Sequence, residues 1–466
     1  MYWTRFESFN RGERPLITSS NTNVFPRELD RAYPLMVKAK GVRLWDSAGN
    51  DYLDAISGGA MVASLGQGLD EVVDAAADQA RQVSYLYSQQ FTSHPQEKLA
   101  TVLCELAPPR FSRVHFTAGG AEANETALRL ARAYHVERGQ PERWRIISPA
   151  QAYHGPTIAT LSLTGRPNLA RPFDPYAAEH LHIPPSTWRF DPTGEAALAA
   201  FDDLLERVGA ETVAAFFCEP ISAAALPAYS PPEAFWRGLE ERRREHGFLI
   251  CLDEVVTGLG RTGTWFAASQ LPIRPDIIAT AKGLGAGYVP VGAMLCADEV
   301  YAAVAEGSRA FELGHTWGGA PLQCAVGLAV IDYLRTNGLV ERVAERGPRL
   351  HADLRQALSG SELVREVRGR GFLLGIDYVD PRDGESFLDP RLGVARRIDM
   401  EALDRGLLVY STQPTSDGYT GDQTLLAPAF TSTDEELNEM VERMAGVVRA
   451  IERQVKDEIV AGAASR

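Results

Sequence analysis

The sequence predicts an α/β fold with a mainly parallel sheet flanked by helices, plus a smaller α+β domain made from the C-terminal and N-terminal segments. Three observations predict it. Short apolar runs alternate with helical patterns from about residue 70 to 340. The 466 residues contain no internal repeat and no low-complexity linker, so one compact body with lobes is expected. After Gly338 the pattern changes to a long helix, an isolated strand and a last helix. The expected division is an N-terminal segment, 1–60, packing with the small domain, a large domain, 61–338, and a C-terminal small domain, 339–466.

Taken in order, VRLWDSAGNDYLDA at residues 42 to 55 reads as two short strands around a turn at Ala48-Gly49-Asn50. The strands of the large sheet are expected at Val114–Thr117, Arg145–Ser148, Val213–Cys218, Phe248–Leu252 and Ile277–Ala279. Apolar residues recur at three and four spacings between Glu122 and Arg138, which predicts a helix packed on that sheet. In the tail, Gly371–Val379 is strand-like, and a helix is expected from Asp434 towards Arg453.

Composition narrows the function. There are 47 Lys and Arg against 61 Asp and Glu, a net charge of -14 with no block of like charge, which argues against nucleic acid or an anionic membrane as partner. The five cysteines are widely spaced with no CxxC pair, as expected for free thiols in a reducing compartment. Residues 1 to 23 carry no apolar core of signal-peptide length, and no stretch of about 18 uncharged apolar residues follows, so a cytoplasmic protein is expected.

Three segments carry chemistry. In FLICLDEVVTGLGRTG, residues 248 to 263, an apolar strand runs into Asp253. Open α/β sheets bind ligands at that edge, although an Asp there also caps ordinary turns. In PDIIATAKGLGAGYVP, residues 275 to 290, Lys282 ends an apolar run ahead of three glycines. Burial lowers a lysine's pKa, and the neutral amine is what forms an imine with a carbonyl. In VHFTAGGAEANE, residues 114 to 125, a strand passes through Gly119 and Gly120 into a helix. That suits a phosphate on helix N–H groups, or simply a tight connection. Tyr153 can stack on a flat heteroaromatic ring or belong to the core, and Thr316, in GHTWGG, can reach a phosphate oxygen or sit in a plain turn.

The ordered set, above all DEVVTGLGRTG and AKGLGAGYVPVGA, resembles the class III, or ω-type, PLP-dependent aminotransferases of fold type I, from about Tyr33 to Ala450. The resemblance implies pyridoxal 5'-phosphate as cofactor, joined as a Schiff base to Lys282, with Asp253 on the pyridine nitrogen. It places Val255 and Tyr153 on the two ring faces and the phosphate on Gly119, Gly120 and Ala121. Glu219, in Cys218-Glu219-Pro220, would organise the site, and Thr316 would reach the phosphate in the neighbouring subunit of a homodimer with shared active sites. The implied reaction is ping-pong transfer of an amino group from an amine or amino acid to a 2-oxo acid.

Departures from the pattern bear on the substrate. Ala121 stands where many relatives have Ser or Thr. Gly418 stands where relatives that use dicarboxylates place an arginine, and Ala224 where some place the glutamate that gates it. 2-Oxoglutarate is therefore expected to be a poorer acceptor than pyruvate. A pocket wall is expected from Gly58, Gly59, Ala60 and Met61 with Tyr85 and Tyr87. Two alternatives stay open: racemisation, decarboxylation, elimination or carbon-carbon bond formation on the same scaffold, and a non-catalytic PLP-binding regulatory protein.

Overall fold

The structure, a computed structural model, describes residues 16–177, 180–187, 191–413 and 421–464. Its central sheet has seven strands: β1 (Phe111–Thr117), β2 (Arg145–Pro149), β3 (Leu181–Ile183), β4 (Val213–Cys218), β5 (Leu249–Asp253), β6 (Ile277–Thr280) and β7 (Gly292–Ala297). They lie side by side in the order β1-β7-β6-β5-β4-β2-β3. All neighbouring pairs from β6 to β3 are parallel, and β7 alone runs against its neighbours β6 and β1. Every residue of β4, β5, β6 and β7 is buried, because helices cover both faces.

The five expected strands are present, Val213–Cys218 with its expected bounds and the other four with an end moved by one to three residues, and β3 and β7 are additional. β7 lies in GAMLCA, where small residues after a glycine-rich loop show neither alternation nor β-branched enrichment. Tertiary pairing with β1 and β6 makes it a strand.

Helix α1 (Gly120–Glu137) buries Ala123, Ala127, Leu130 and Ala131 against the sheet, as its spacing predicts. The two strands expected around Gly49 form an antiparallel pair, Arg43–Asp46 with Asp51–Asp54. Leu407–Leu408 adds to that pair in parallel, so the N-terminal segment and the tail share a sheet. Leu373–Tyr378, the strand expected near Gly371, sits inside a second four-stranded sheet. The last helix runs from Asp434 on to Ala464, further than its sequence pattern indicates.

Arg261 ties these parts together. Its buried guanidinium donates to the carbonyls of Phe372 (3.0 Å) and Pro428 (2.6 Å) and to the hydroxyl of Ser57 (3.0 Å), and it lies over the ring of Phe430. A cation buried this deeply is tolerable only with such partners.

Candidate active site

Because β1, β2, β4, β5 and β6 share one direction, their C-terminal ends lie along one edge of the sheet. At or just past those ends come Gly119, Tyr153, Glu219, Asp253 and Lys282, all in the wall of a cavity of about 300 Å³. The positions are far apart in the chain; the parallel sheet makes them neighbours.

Lys282 stands two residues past the end of β6 and opens a tight turn, its carbonyl accepting from the N–H groups of Gly285 (3.1 Å) and Ala286 (3.0 Å). Its φ of +38° is unusual for a residue with a side chain, and such conformations cost about 1–3 kcal/mol. Burial pulls the amine's pKa below the ordinary lysine range, against the opposing pull of the Asp253 and Glu219 carboxylates.

Asp253 is gripped from three sides. Its Oδ2 accepts from Asn124 Nδ2 (2.7 Å) and from His154 Nδ1 (2.8 Å), while Oδ1 accepts from the backbone N–H of Val255 (3.0 Å). Facing a carboxylate, His154 carries its proton on Nδ1. Asn124 and His154 occur in the sequence motifs, but no local signal marks them as partners of Asp253. Their spacing along α1 and after β2 becomes meaningful only when the strands are aligned.

The turn from β1 into α1 forms the other wall. Helix N-termini leave N–H groups without intrahelical acceptors, and Gly119, Gly120 and Ala121 line the cavity there. A Cβ on Gly119 would meet no protein atom within 4 Å, whereas one on Gly120 would come within 2.9 Å of both Val255 methyl groups. Ala121 packs on Gly155, whose φ of +130° and 2.6 Å clearance leave no room for a side chain. Helix N–H groups of this kind suit an anionic group, and Tyr153, Val255 and Asp253 line the same cavity.

Glu219 is engaged on both oxygens. Oε1 accepts from the N–H of Ala223 (3.1 Å), and Oε2 from the N–H of Tyr153 (3.3 Å) and the hydroxyl of Ser222 (3.2 Å). Burial raises its pKa. By holding the backbone at Tyr153, it sets where that ring stands. Ala224 lines the cavity, and Gly418 lies outside the described residues.

Of the expected pocket wall, Gly58, Gly59, Ala60 and Met61 form a kinked turn whose next residue, Val62, reaches the cavity. Tyr85 and Tyr87 are exposed away from it, as is Thr316. Tyr85 packs edge-on against the exposed Trp317, with ring centres 5.2 Å apart.

Known proteins resemble this chain in sequence and in fold. The sequence signature of the family described as aminotransferase class-III matches residues 24–448. The uncharacterized aminotransferase YodT of Bacillus subtilis (strain 168) is 35% identical over 436 residues, 92% of this chain and 98% of that protein. A thermostable (S)-enantioselective omega-transaminase from Thermomicrobium roseum superposes with a TM-score of 0.85 at 33% identity, covering 92% of this chain and 96% of that one. An amine transaminase from an uncultivated Pseudomonas species, in its PLP-bound form, superposes with a TM-score of 0.83 at 28% identity, covering 96% and 100%. With the family signature spanning residues 24–448 and a 35% identical relative matching 92% of the chain, this protein belongs to the class-III aminotransferases.

Proposed function

We propose that this aminotransferase moves an amino group between an amine or amino acid and a 2-oxo acid, with PLP held covalently by Lys282 and anchored by Asp253. One observation carries the reading: a desolvated lysine and a triply hydrogen-bonded carboxylate stand at the ends of adjacent strands, β6 and β5, on one cavity.

When bound, PLP supplies an aldehyde that exchanges amines and a protonated ring that draws electrons from the substrate's Cα. The chain's own groups do the rest. Lys282 Nζ, its pKa lowered by burial, is the nucleophile and afterwards the base that takes the Cα proton and returns it one atom away. Asp253 would present its carboxylate to the ring nitrogen, and Asn124 and His154 hold that carboxylate in place. Gly119, Gly120 and Ala121 would bind the phosphate through the helix N-terminus, and Tyr153 and Val255 would enclose the ring. Glu219 orients Tyr153.

The working unit is proposed to be a homodimer, with Thr316 contributed to the neighbouring subunit's phosphate. Exposure of Thr316 beside the paired, exposed rings of Tyr85 and Trp317 supports that reading. The proposed units are a large domain, 61–338, and a small one, 339–466, with 1–60; the sheet shared by Asp51–Asp54 and Leu407–Leu408 supports joining the ends. Five free cysteines fit a reducing, cytoplasmic setting. Among the described residues no helix is long and apolar enough to cross a membrane.

Lys282→Ala is expected to abolish turnover. Borohydride reduction of the wild type followed by peptide mapping should leave the pyridoxyl group on Lys282, and label on Lys38, Lys40, Lys98 or Lys456 would refute the assignment. Incubation with an amine donor alone should convert the cofactor stoichiometrically to pyridoxamine phosphate. For the acceptor, Ala224 in the cavity wall supports a monocarboxylate. Pyruvate should exceed 2-oxoglutarate in kcat/KM by about 10-fold or more, the scale of one unpaired buried charge.

A further inference from the structure

Residues 57–61 hold an unusual backbone. Ser57, Gly58, Gly59 and Met61 have φ of +48°, +79°, +85° and +58°, in the left-handed region that residues with side chains seldom enter. Such a turn persists only where its surroundings over-determine it. Asp54 supplies part of that constraint, its carboxylate accepting from the N–H groups of Ile56 (3.0 Å) and Gly58 (2.5 Å). Ser57 supplies more. It is fully buried, and its hydroxyl donates to the carbonyl of Ala427 (2.6 Å) while accepting from Arg261 Nη2 (3.0 Å).

The same residue acts on the cavity through its carbonyl, which accepts from the N–H groups of Val62 and Ala63 (2.9 Å each). Val62 lines the cavity, although Ser57 does not. The two residues after Val62 pack on the turn that carries Lys282: a Cβ on Gly287 would lie 3.5 Å from Ala63 Cβ, and one on Gly283 would lie 3.7 Å from Ser64 Oγ. Met61 is buried in one apolar cluster with Ile221, a further residue of the cavity wall.

Val62, Ile221 and Ala224 are apolar and hold no part of the cofactor on the proposed reading, which leaves them to face the substrate. The clamp on Val62 is long-range. Arg261 also donates to the carbonyls of Phe372 and Pro428, so the place of Val62 depends on contacts made more than 300 residues further along the chain.

We propose that Ser57 is a positioning residue: its hydroxyl, fixed by Arg261 and Ala427, holds Val62 in the cavity wall and so sets how well the site fits a bulky apolar amino donor. The inference rests on the transamination reading and deepens it, since it concerns the substrate side of the same cavity.

The test compares benzylamine with ethylamine as donors to the holoenzyme, each half-reaction followed by cofactor absorbance. Ser57→Ala should raise KM for benzylamine about 10-fold with kcat within about 2-fold, and leave ethylamine, too short to need the wall, within about 2-fold in both. Ser57→Gly adopts the left-handed backbone without strain but lacks the hydroxyl, so it should show the same selective loss. Val62→Ala should raise KM for benzylamine similarly, and adding Ser57→Ala to it should change KM by no more than about 2-fold, because the two act through one contact. Hydrogen exchange gives a readout independent of turnover: in Ser57→Ala the amides of Val62 and Ala63 should exchange about 10-fold faster or more, while those of Leu249–Asp253 keep their protection. Equal loss with both amines, a Ser57→Gly enzyme that matches the wild type, multiplying effects in the double variant, or unchanged exchange at Val62 and Ala63 would overturn the proposal. Absence of transamination with any amine would instead sink the parent reading and the selectivity claim with it, and the exchange measurement would still decide whether Ser57 holds Val62.

Discussion

Asp253 draws its three donors from three parts of the chain: Asn124 on α1, His154 after β2, and Val255 two residues on. The Val255 contact is local and belongs to any Asp at a strand end. The Asn124 contact spans 129 residues and the His154 contact 99. Lys282 and Asp253 were therefore legible as chemistry-bearing residues from their strand-end settings, whereas Asn124 and His154 were legible only as members of motifs. On the proposed reading, an amide at position 253 keeps the shape but loses the carboxylate that would favour a protonated ring nitrogen. Asp253→Asn should retain cofactor, seen as protein-bound absorbance after gel filtration, while turnover falls at least about 100-fold. Near wild-type turnover in a loaded variant would reduce Asp253 to a turn cap.

At the scale of the element, the β1–α1 connection depends on a fit that composition does not reveal. Gly120 has an ordinary backbone conformation, so its glycine is required by space: both Val255 methyl groups stand 2.9 Å from where its Cβ would be. Gly120→Ala must push α1 or the turn after β5, and overpacking of this kind costs about 1–3 kcal/mol. The expected result is cofactor retention weakened about 10-fold, measured by equilibrium dialysis. Adding Val255→Ala should restore part of it, since the two changes share one contact. If the double variant binds no better than Gly120→Ala alone, the clash is not the cause. The Gly-Arg-Thr-Gly motif teaches the same lesson: it was recognisable in sequence, but the partners of Arg261 at Ser57, Phe372 and Pro428 come from both ends of the chain.

For the whole molecule, buried titratable groups act against one another. Burial pushes Glu254 and Asp399 up to about 7 and Asp422 to about 6. Carboxylates with raised folded pKa values contribute fully below their unfolded values near 4, and lose that contribution as pH rises through 6 to 7. Burial pulls His115, His180 and His351 down to about 4. Their contribution is complete above pH 6.5, the unfolded value, and is lost as pH falls towards 4. Between about pH 5 and 6.5 the slopes oppose, each at most about 1.4 kcal/mol per unit. Urea midpoints should therefore be nearly flat across that window, and replacing His115 and His351 by Gln should leave a midpoint that falls as pH rises. A wild type already falling steeply would refute the balance. None of these burials could be read from the chain, since a histidine in an apolar run and one on a surface have the same neighbours in sequence. The sequence by itself determined five of the seven strands of the large sheet, the glycine turns, and the strand-end settings of Lys282 and Asp253, because apolar runs and strand-end polar residues are local patterns. Only the tertiary structure decided that β7 runs antiparallel and that Asn124 and His154 meet Asp253. Each of these depends on which distant segments pack together, and packing is settled by the whole buried surface rather than by any stretch of chain.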